Sequence, residues 1–187
     1  MKNKILEKSK HLFLNFGFKS ITMDEIASSM GVSKKTIYKY FQNKTALVDT
    51  VTHDMFNTIS SGINEICEVG MNPIHELFSI NKLVMENLKN ERSSPQYQLQ
   101  KYYPKIYESL RKRQFHLMQN FVCNNLKAGI EIGLYRDCID IQFISRIYFN
   151  GNLGIKDKDL FPLDDYSMKT LSNFYLELIY TCISINY

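Results

Sequence analysis

A chain of 187 residues and 22.0 kDa has room for one domain of ordinary size, or for a small module joined to a larger one. Its hydrophobic fraction of 44% supports a packed core. No stretch approaches the ~18 apolar residues of a membrane-spanning helix, and Glu7, Lys8 and Lys10 interrupt any signal-peptide core, so a cytoplasmic protein is expected. The net charge of +4 is unevenly placed: residues 1–50 carry nine lysines and four acids (9 − 4 = +5), and the remainder fourteen basic and fifteen acidic residues (14 − 15 = −1). Such asymmetry points to an anionic partner for the N-terminal part, either nucleic acid or a membrane surface.

Helical spacing dominates, and nothing reads as a strand. Ile5, Leu6, Leu12, Phe13 and Phe16 fall on one helical face, and Gly17 supplies a residue that commonly ends a helix. Thr22, followed three residues later by Glu25, forms a capping box. The short helix it opens buries Ile26, Ala27 and Met30 and stops at Gly31. Ser33 caps the next helix after a gap of two residues, and two short helices joined so tightly make a helix-turn-helix. A linking helix follows from about residue 43 to about Ser61. Asn72 and Pro73 open another with Ile74, Leu77, Phe78, Val84, Met85 and Leu88 inward. Residues 91–96 read as a loop, and Pro104 as a break before a helix over 105–128 carrying Ile106, Leu110, Leu117, Met118, Phe121 and Val122. Asp140 caps a helix through about Leu153, with a stripe of Phe143, Ile144, Ile147 and Tyr148. The last helix, 166–185, groups Leu171, Phe174, Tyr175, Leu178 and Cys182, and Ile179 and Ile183 widen that face beyond what a single subunit's core normally requires.

Residues 31–44, "GVSKKTIYKYFQNK", hold four lysines and three aromatics without an acidic side chain. A solvated helix face usually mixes its signs, because opposite charges at i,i+4 spacing stabilise it. On a helical wheel over 34–41, Ile37 and Phe41 face the module's core. Lys35, Lys39 and Thr36 lie opposite, flanked by Tyr38 and Tyr40. Lysine can meet phosphates or guanine O6 and N7, threonine a base edge, and tyrosine hydroxyls phosphate oxygens. A helix about 10–12 Å across also fits the DNA major groove.

Phe13, Gly17, Thr22, Ile26-Ala27, Gly31-Val32-Ser33, Ile37-Tyr38, Tyr40-Phe41, Lys44 and Leu47 together resemble the signature of tetracycline-repressor-type (TetR family) regulators, over about the first fifty residues. Ser9 stands where the family usually has alanine, and Lys35 where it often has glycine or a small residue. The resemblance implies an all-α fold: a three-helix DNA-binding domain with its linking helix over 1–61, and a ligand-binding and dimerisation domain over 62–187. It further implies that Lys34, Lys35, Thr36, Tyr38 and Lys39 contact bases or the groove of double-stranded DNA. Tyr40 and Lys44 would hold phosphates, as would Thr22 and Ser33, where free N–H groups at a helix start also attract anions. The implied partners are a palindromic operator, a second copy of the chain meeting the broad last-helix face at Phe174 and Leu178, and a small apolar effector inside the larger domain. Effector binding in the family moves the linking helix and releases the operator. No ligand residues are assigned and no cofactor is implied.

Cys67, Cys123, Cys138 and Cys182 are scattered without metal-ligand spacing, and read as inert thiols. The four histidines show no HExxH or i,i+4 spacing, and no GxSxG, P-loop or GxGxxG occurs, so no enzyme or metal site is expected. Arg111-Lys112-Arg113 reads as a solvated helix face. The rival readings are a regulator that senses no ligand or that activates, and a basic membrane-surface module. The last would need bulky apolar residues bordering its lysines, and the apolar pair here serves the core.

Overall fold

The computed structural model describes residues 1–88, 95–157, 159–162 and 164–185. Among these residues it forms α1 (Lys2–Phe16), α2 (Met23–Ser29), α3 (Lys34–Tyr38), α4 (Lys44–Glu68), α5 (Pro73–Leu88), α6 (Pro95–Tyr102), α7 (Pro104–Glu131), α8 (Ile141–Gly154) and α9 (Met168–Ile183). The chain is all-helical, with no strand among the described residues and one isolated antiparallel bridge between Tyr135 and Ser184. It divides into two compact units: Met1–Ile59 with Asn87–Arg113, and Ser60–Glu86 with Gln114–Tyr187.

In the first unit Ile5, Ser9 and Phe13 of α1 are fully buried. Gly17 ends the helix at φ 91, its N–H donating to the Phe13 carbonyl at 2.8 Å. That turn resets the helical phase. Phe16, expected inward, is 59% exposed, while Phe18 enters the core with its ring 5.0 Å from Phe13. The α2 capping box forms: Thr22 Oγ1 accepts from the Glu25 N–H at 3.2 Å, and Glu25 Oε2 accepts from the Thr22 N–H at 2.7 Å. Gly31, at φ 65, closes α2, and the Gly31 and Val32 N–H groups bond the Ser28 and Ala27 carbonyls, which satisfies carbonyls a helix end leaves open. Helix α3 is shorter than the expected 34–41, yet Tyr40 and Phe41 both donate to the Ile37 carbonyl at 3.0 Å. The wheel phase therefore holds to Phe41.

Helix α4 starts on Asn43, whose Oδ1 accepts from the Ala46 N–H at 2.8 Å, and continues to Glu68, beyond the expected end near Ser61. Nothing near Ser61 breaks it: Gly62 lies inside the helix, and an apolar face continues through buried Ile63. The loop expected over 91–96 is corrected in part: 91–94 lie outside the described residues, but Pro95 and Gln96 open α6. Pro104 likewise opens α7, because proline suits a first helical position whose N–H has no partner anyway. Leu99 and Ile106 join the core formed by Ile5, Phe13, Phe18, Ile26, Ile37, Phe41, Leu47, Val48 and Val51, with Tyr103, Tyr107 and Leu110 against it. Arg113, expected on a solvated face, instead donates to Asn57 Oδ1 at 2.8 Å and lies 4.3 Å from the Phe56 ring centroid.

In the second unit Asn72, Asp140 and Ser167 cap α5, α8 and α9 through their side-chain oxygens. Asn125 of α7 is buried and fully used: Nδ2 donates to the Pro73 carbonyl and Glu76 Oε1, each at 2.8 Å, and Oδ1 accepts from the Tyr135 hydroxyl at 3.2 Å. Helix α9 turns Leu171, Ser172, Leu176, Ile179 and Ile183 inward. Tyr175 lies over Gly151, where an added Cβ would collide with its ring, and donates to the Ile147 carbonyl at 2.8 Å. Phe174, Leu178 and Cys182 face outward. The apolar arc of α9 is thus two faces, one of them uncovered.

Ser9 Oγ is fully buried without a hydrogen-bond partner, and a buried hydroxyl left unpaired costs about 1–3 kcal/mol. Ser9→Ala should therefore raise unfolding free energy by roughly 1 kcal/mol or more in urea denaturation. Unchanged or lower stability would mean that the hydroxyl has a partner in solution.

Candidate nucleic-acid interface

The interface is built from two burials. Ile37 is fully buried and Phe41 is 4% exposed, so the turn that carries them must send its intervening side chains outward. Lys34, Lys35, Tyr38, Lys39 and Tyr40 are exposed, and Thr36 is half-buried. The phenols are 43% exposed at both Tyr38 and Tyr40, so each ring is partly packed while its hydroxyl end has access to solvent.

The polar groups are not equally committed. Ser33 Oγ accepts from the Thr36 N–H at 3.2 Å and is 2.9 Å from Thr36 Oγ1, so two expected contact residues are tied to each other. Thr22 is likewise engaged with Glu25, whose carboxyl the two Thr22 bonds hold below the usual carboxylate range. Lys34 donates to Asp24 Oδ2 at 2.7 Å, and that bond raises its pKa. This carboxylate on α2 lies outside residues 31–44, so the absence of acids within the stretch did not reveal it. Among the described residues, the side-chain ion pairs are Lys34–Asp24 and His53–Asp49. Lys35 and Lys39 therefore present ammonium groups with no carboxylate opposite them.

Lys44 begins α4 and donates from Nζ to the Lys19 carbonyl at 2.9 Å. Burial lowers its pKa, and the Glu25 carboxylate opposes that shift. It stands apart from the α3 face, at the corner between α1 and α2. Lys19 itself was not singled out from sequence. Its ammonium lies 4.6 Å from the Tyr102 ring centroid, and its N–H donates to Gln98 Oε1 at 3.1 Å. Both partners come from α6, and no local pattern could have announced them. Among the described residues no group of three His, Cys, Asp or Glu side chains could hold a metal ion, and no helix is long and apolar enough to cross a membrane.

The family described as "Bacterial regulatory proteins, tetR family" matches residues 5–51, which span α1 to the first turns of α4. Over 75 residues the chain is 36% identical to YhgD of Bacillus subtilis, an uncharacterised HTH-type transcriptional regulator; the match covers 40% of this chain and 39% of that protein. Over 157 residues it is 21% identical to the HTH-type transcriptional repressor KstR2 of Mycolicibacterium smegmatis, covering 78% and 72% of the two chains. In fold it is similar to SmeT, the repressor of the Stenotrophomonas maltophilia multidrug efflux pump SmeDEF, with a TM-score of 0.77 at 13% identity over 100% of this chain and 91% of that one. Motif and local geometry agree over residues 5–51, which match the tetR family of bacterial regulatory proteins, and the fold is similar to that of solved transcriptional regulators.

Proposed function

We propose that the protein is a dimeric repressor that binds a palindromic operator through residues 22–44 and is released by a small apolar effector. The observation that carries the DNA reading is the α3 face, anchored by buried Ile37 and presenting Lys35 and Lys39, which form no ion pair among the described residues. Residues 1–61 act as the DNA-binding domain and 62–187 as the regulatory and dimerisation domain. Lys35, Thr36, Tyr38 and Lys39 read the groove. Lys34 joins them by exchanging Asp24 for DNA, an exposed pair that costs little to open. Tyr40, Lys44, Thr22 and Ser33 hold phosphates. The effector reading is supported by the aromatic content of the second unit, where Phe115 lies 5.2 Å from Phe149 and Tyr148 5.9 Å from Tyr175 between ring centroids. Dissociation of a labelled operator on titration with small apolar compounds, read by fluorescence anisotropy, tests it.

The dimer reading is supported by the outward face of α9. Phe174 and Leu178 are 59% and 60% exposed, with Phe143 at 59% and Ile147 at 42% on neighbouring α8. Large apolar side chains exposed together are uncommon on a monomer and mark association surfaces. Phe174→Glu with Leu178→Lys should give monomers in sedimentation, with weaker DNA binding. Sedimentation of the double variant as a dimer of unchanged size would place the interface elsewhere.

Phosphate and base contacts separate in mutation. Lys44→Ala should weaken operator and random DNA by similar factors and lower the salt slope by about one for each phosphate no longer neutralised. Lys39→Ala should cost on the order of 1–3 kcal/mol on the operator, less on random DNA, and relax preference at symmetric positions in two half-sites. Equal weakening on both DNAs for Lys39→Ala would reduce α3 to a phosphate grip.

A further inference from the structure

We propose that Gln98, on α6, is a positioning residue for Lys44: it holds the α1–α2 corner on which the Lys44 ammonium rests, and so sets affinity for the DNA backbone without touching DNA. The inference rests on the reading of residues 22–44 as the DNA-binding surface.

Three contacts converge on that corner. The Gln98 amide lies so close to Gly17 that an added Cβ would collide with both of its terminal atoms. Gly17 also sits at φ 91, a backbone conformation that favours glycine, and its lack of a Cβ lets the Gln98 amide come this close. Gln98 Oε1 accepts from the Lys19 N–H at 3.1 Å, across 79 residues of sequence. The Lys19 side chain is drawn to the same helix, its ammonium 3.4 Å from the Tyr102 hydroxyl. Lys19 is therefore fixed by α6 at its N–H and its side chain, and it offers the remaining backbone group, its carbonyl, to Lys44 at 2.9 Å. The Lys19 N–H and carbonyl belong to successive peptide planes joined at its Cα, and anchoring the N–H and the side chain together holds the Cα about which the carbonyl turns.

Lys44 depends on that carbonyl more than a surface lysine would. It is the first residue of α4, where the helix dipole disfavours a cation, and burial already lowers its pKa. The Glu25 carboxylate opposes that shift, and a carbonyl oxygen at a set position aims the ammonium. With the corner loosened, the ammonium would pay side-chain entropy to reach a phosphate.

The test uses the full chain and a fluorescein-labelled random-sequence duplex, with affinity measured by anisotropy across a salt series. Gln98→Met keeps the side chain's length but offers no oxygen; Gln98→Glu keeps the acceptor. The Met variant should bind about fivefold more weakly, as expected for one hydrogen bond removed, with a salt slope lowered toward that of Lys44→Ala. The Glu variant should recover the slope. In a Lys44→Ala background Gln98→Met should change affinity by less than about twofold, because coupled residues are not additive. Wild-type affinity and slope for the Met variant, or full additivity with Lys44→Ala, would overturn the proposal. Hydrogen exchange supplies a readout on the unmutated chain: the Lys19 amide should be protected, and exchange at the rate of an open loop would overturn the proposal whatever the variants do. If the unmutated chain fails to bind the duplex at all, the DNA-binding reading falls, whereas binding with an insensitive Gln98 removes only this residue's role.

Discussion

The burial of Ile37 is the constraint on which the rest of the proposed DNA-facing surface depends. A helix as short as α3, with five residues, is far below the length at which a helix is stable alone in water. It persists because Ile37 and Phe41 are seated in a core shared with α1, α2, α4 and α6, each such side chain contributing about 1.5–3 kcal/mol when fully buried. Once those two are seated, rotation about the helix axis is no longer available. Lys35, Lys39 and Tyr38 have nowhere to go but outward. The same two contacts thus fold the segment and aim its chemistry, and truncating Ile37 would damage both.

The polar groups around this face fall into those already bonded and those still open, and the difference is physical. Thr22 and Ser33 spend their hydroxyls on helix starts, where backbone N–H groups lack partners, and the Thr36 hydroxyl pairs with that of Ser33. A phosphate held there, as proposed, would meet a helix start already ordered by its cap rather than a free hydroxyl. Lys34 has its charge answered by Asp24 in an exposed pair that water screens. Lys35 and Lys39 keep unanswered charge on a projecting surface, which in the free protein is a source of repulsion. That repulsion is relieved when counterions, or the phosphates that displace them, approach. Tolerating it is the expected signature of a surface that works with an anion.

What could be read from sequence was what depends on nearby residues. The Thr22–Glu25 box, the Gly31 turn and the Asn72, Asp140 and Ser33 caps are each decided within about four positions, so their residue types announce them. The Ile37–Phe41 phase is equally local. Reading failed where the chain leaves a helix or returns from far away. Phe16 belongs to the α1 wheel on paper, but the Gly17 turn breaks the phase and hands the core position to Phe18. Helix α6 was missed because Pro95 and Pro104 look like interruptions, whereas each stands at the first position of a helix. Nothing in composition signals that 87–113 returns to pack with 1–59. The partners of Lys19 are likewise out of reach, since a contact spanning 79 residues leaves no period to detect.

The two faces of α9 show the same limit from another side. A wheel drawn on Leu171, Phe174, Tyr175, Leu178, Ile179 and Ile183 gives one wide apolar arc and cannot divide it. The division is made by a close approach. Gly151 leaves room for the Tyr175 ring, and the Tyr175 hydroxyl reaches the Ile147 carbonyl of α8. That lock turns Leu176 and Ile179 inward to full or near-full burial. Residues 174 and 178, offset from 176 and 179, are then carried to the opposite side by helix geometry alone. Their exposure is therefore a consequence of a packing choice one turn away rather than of a core too small to hold them. A helix that fixes its inner face by one aromatic ring against one glycine can present an outer apolar face in a constant orientation, and a constant orientation is what a self-complementary contact between two copies requires.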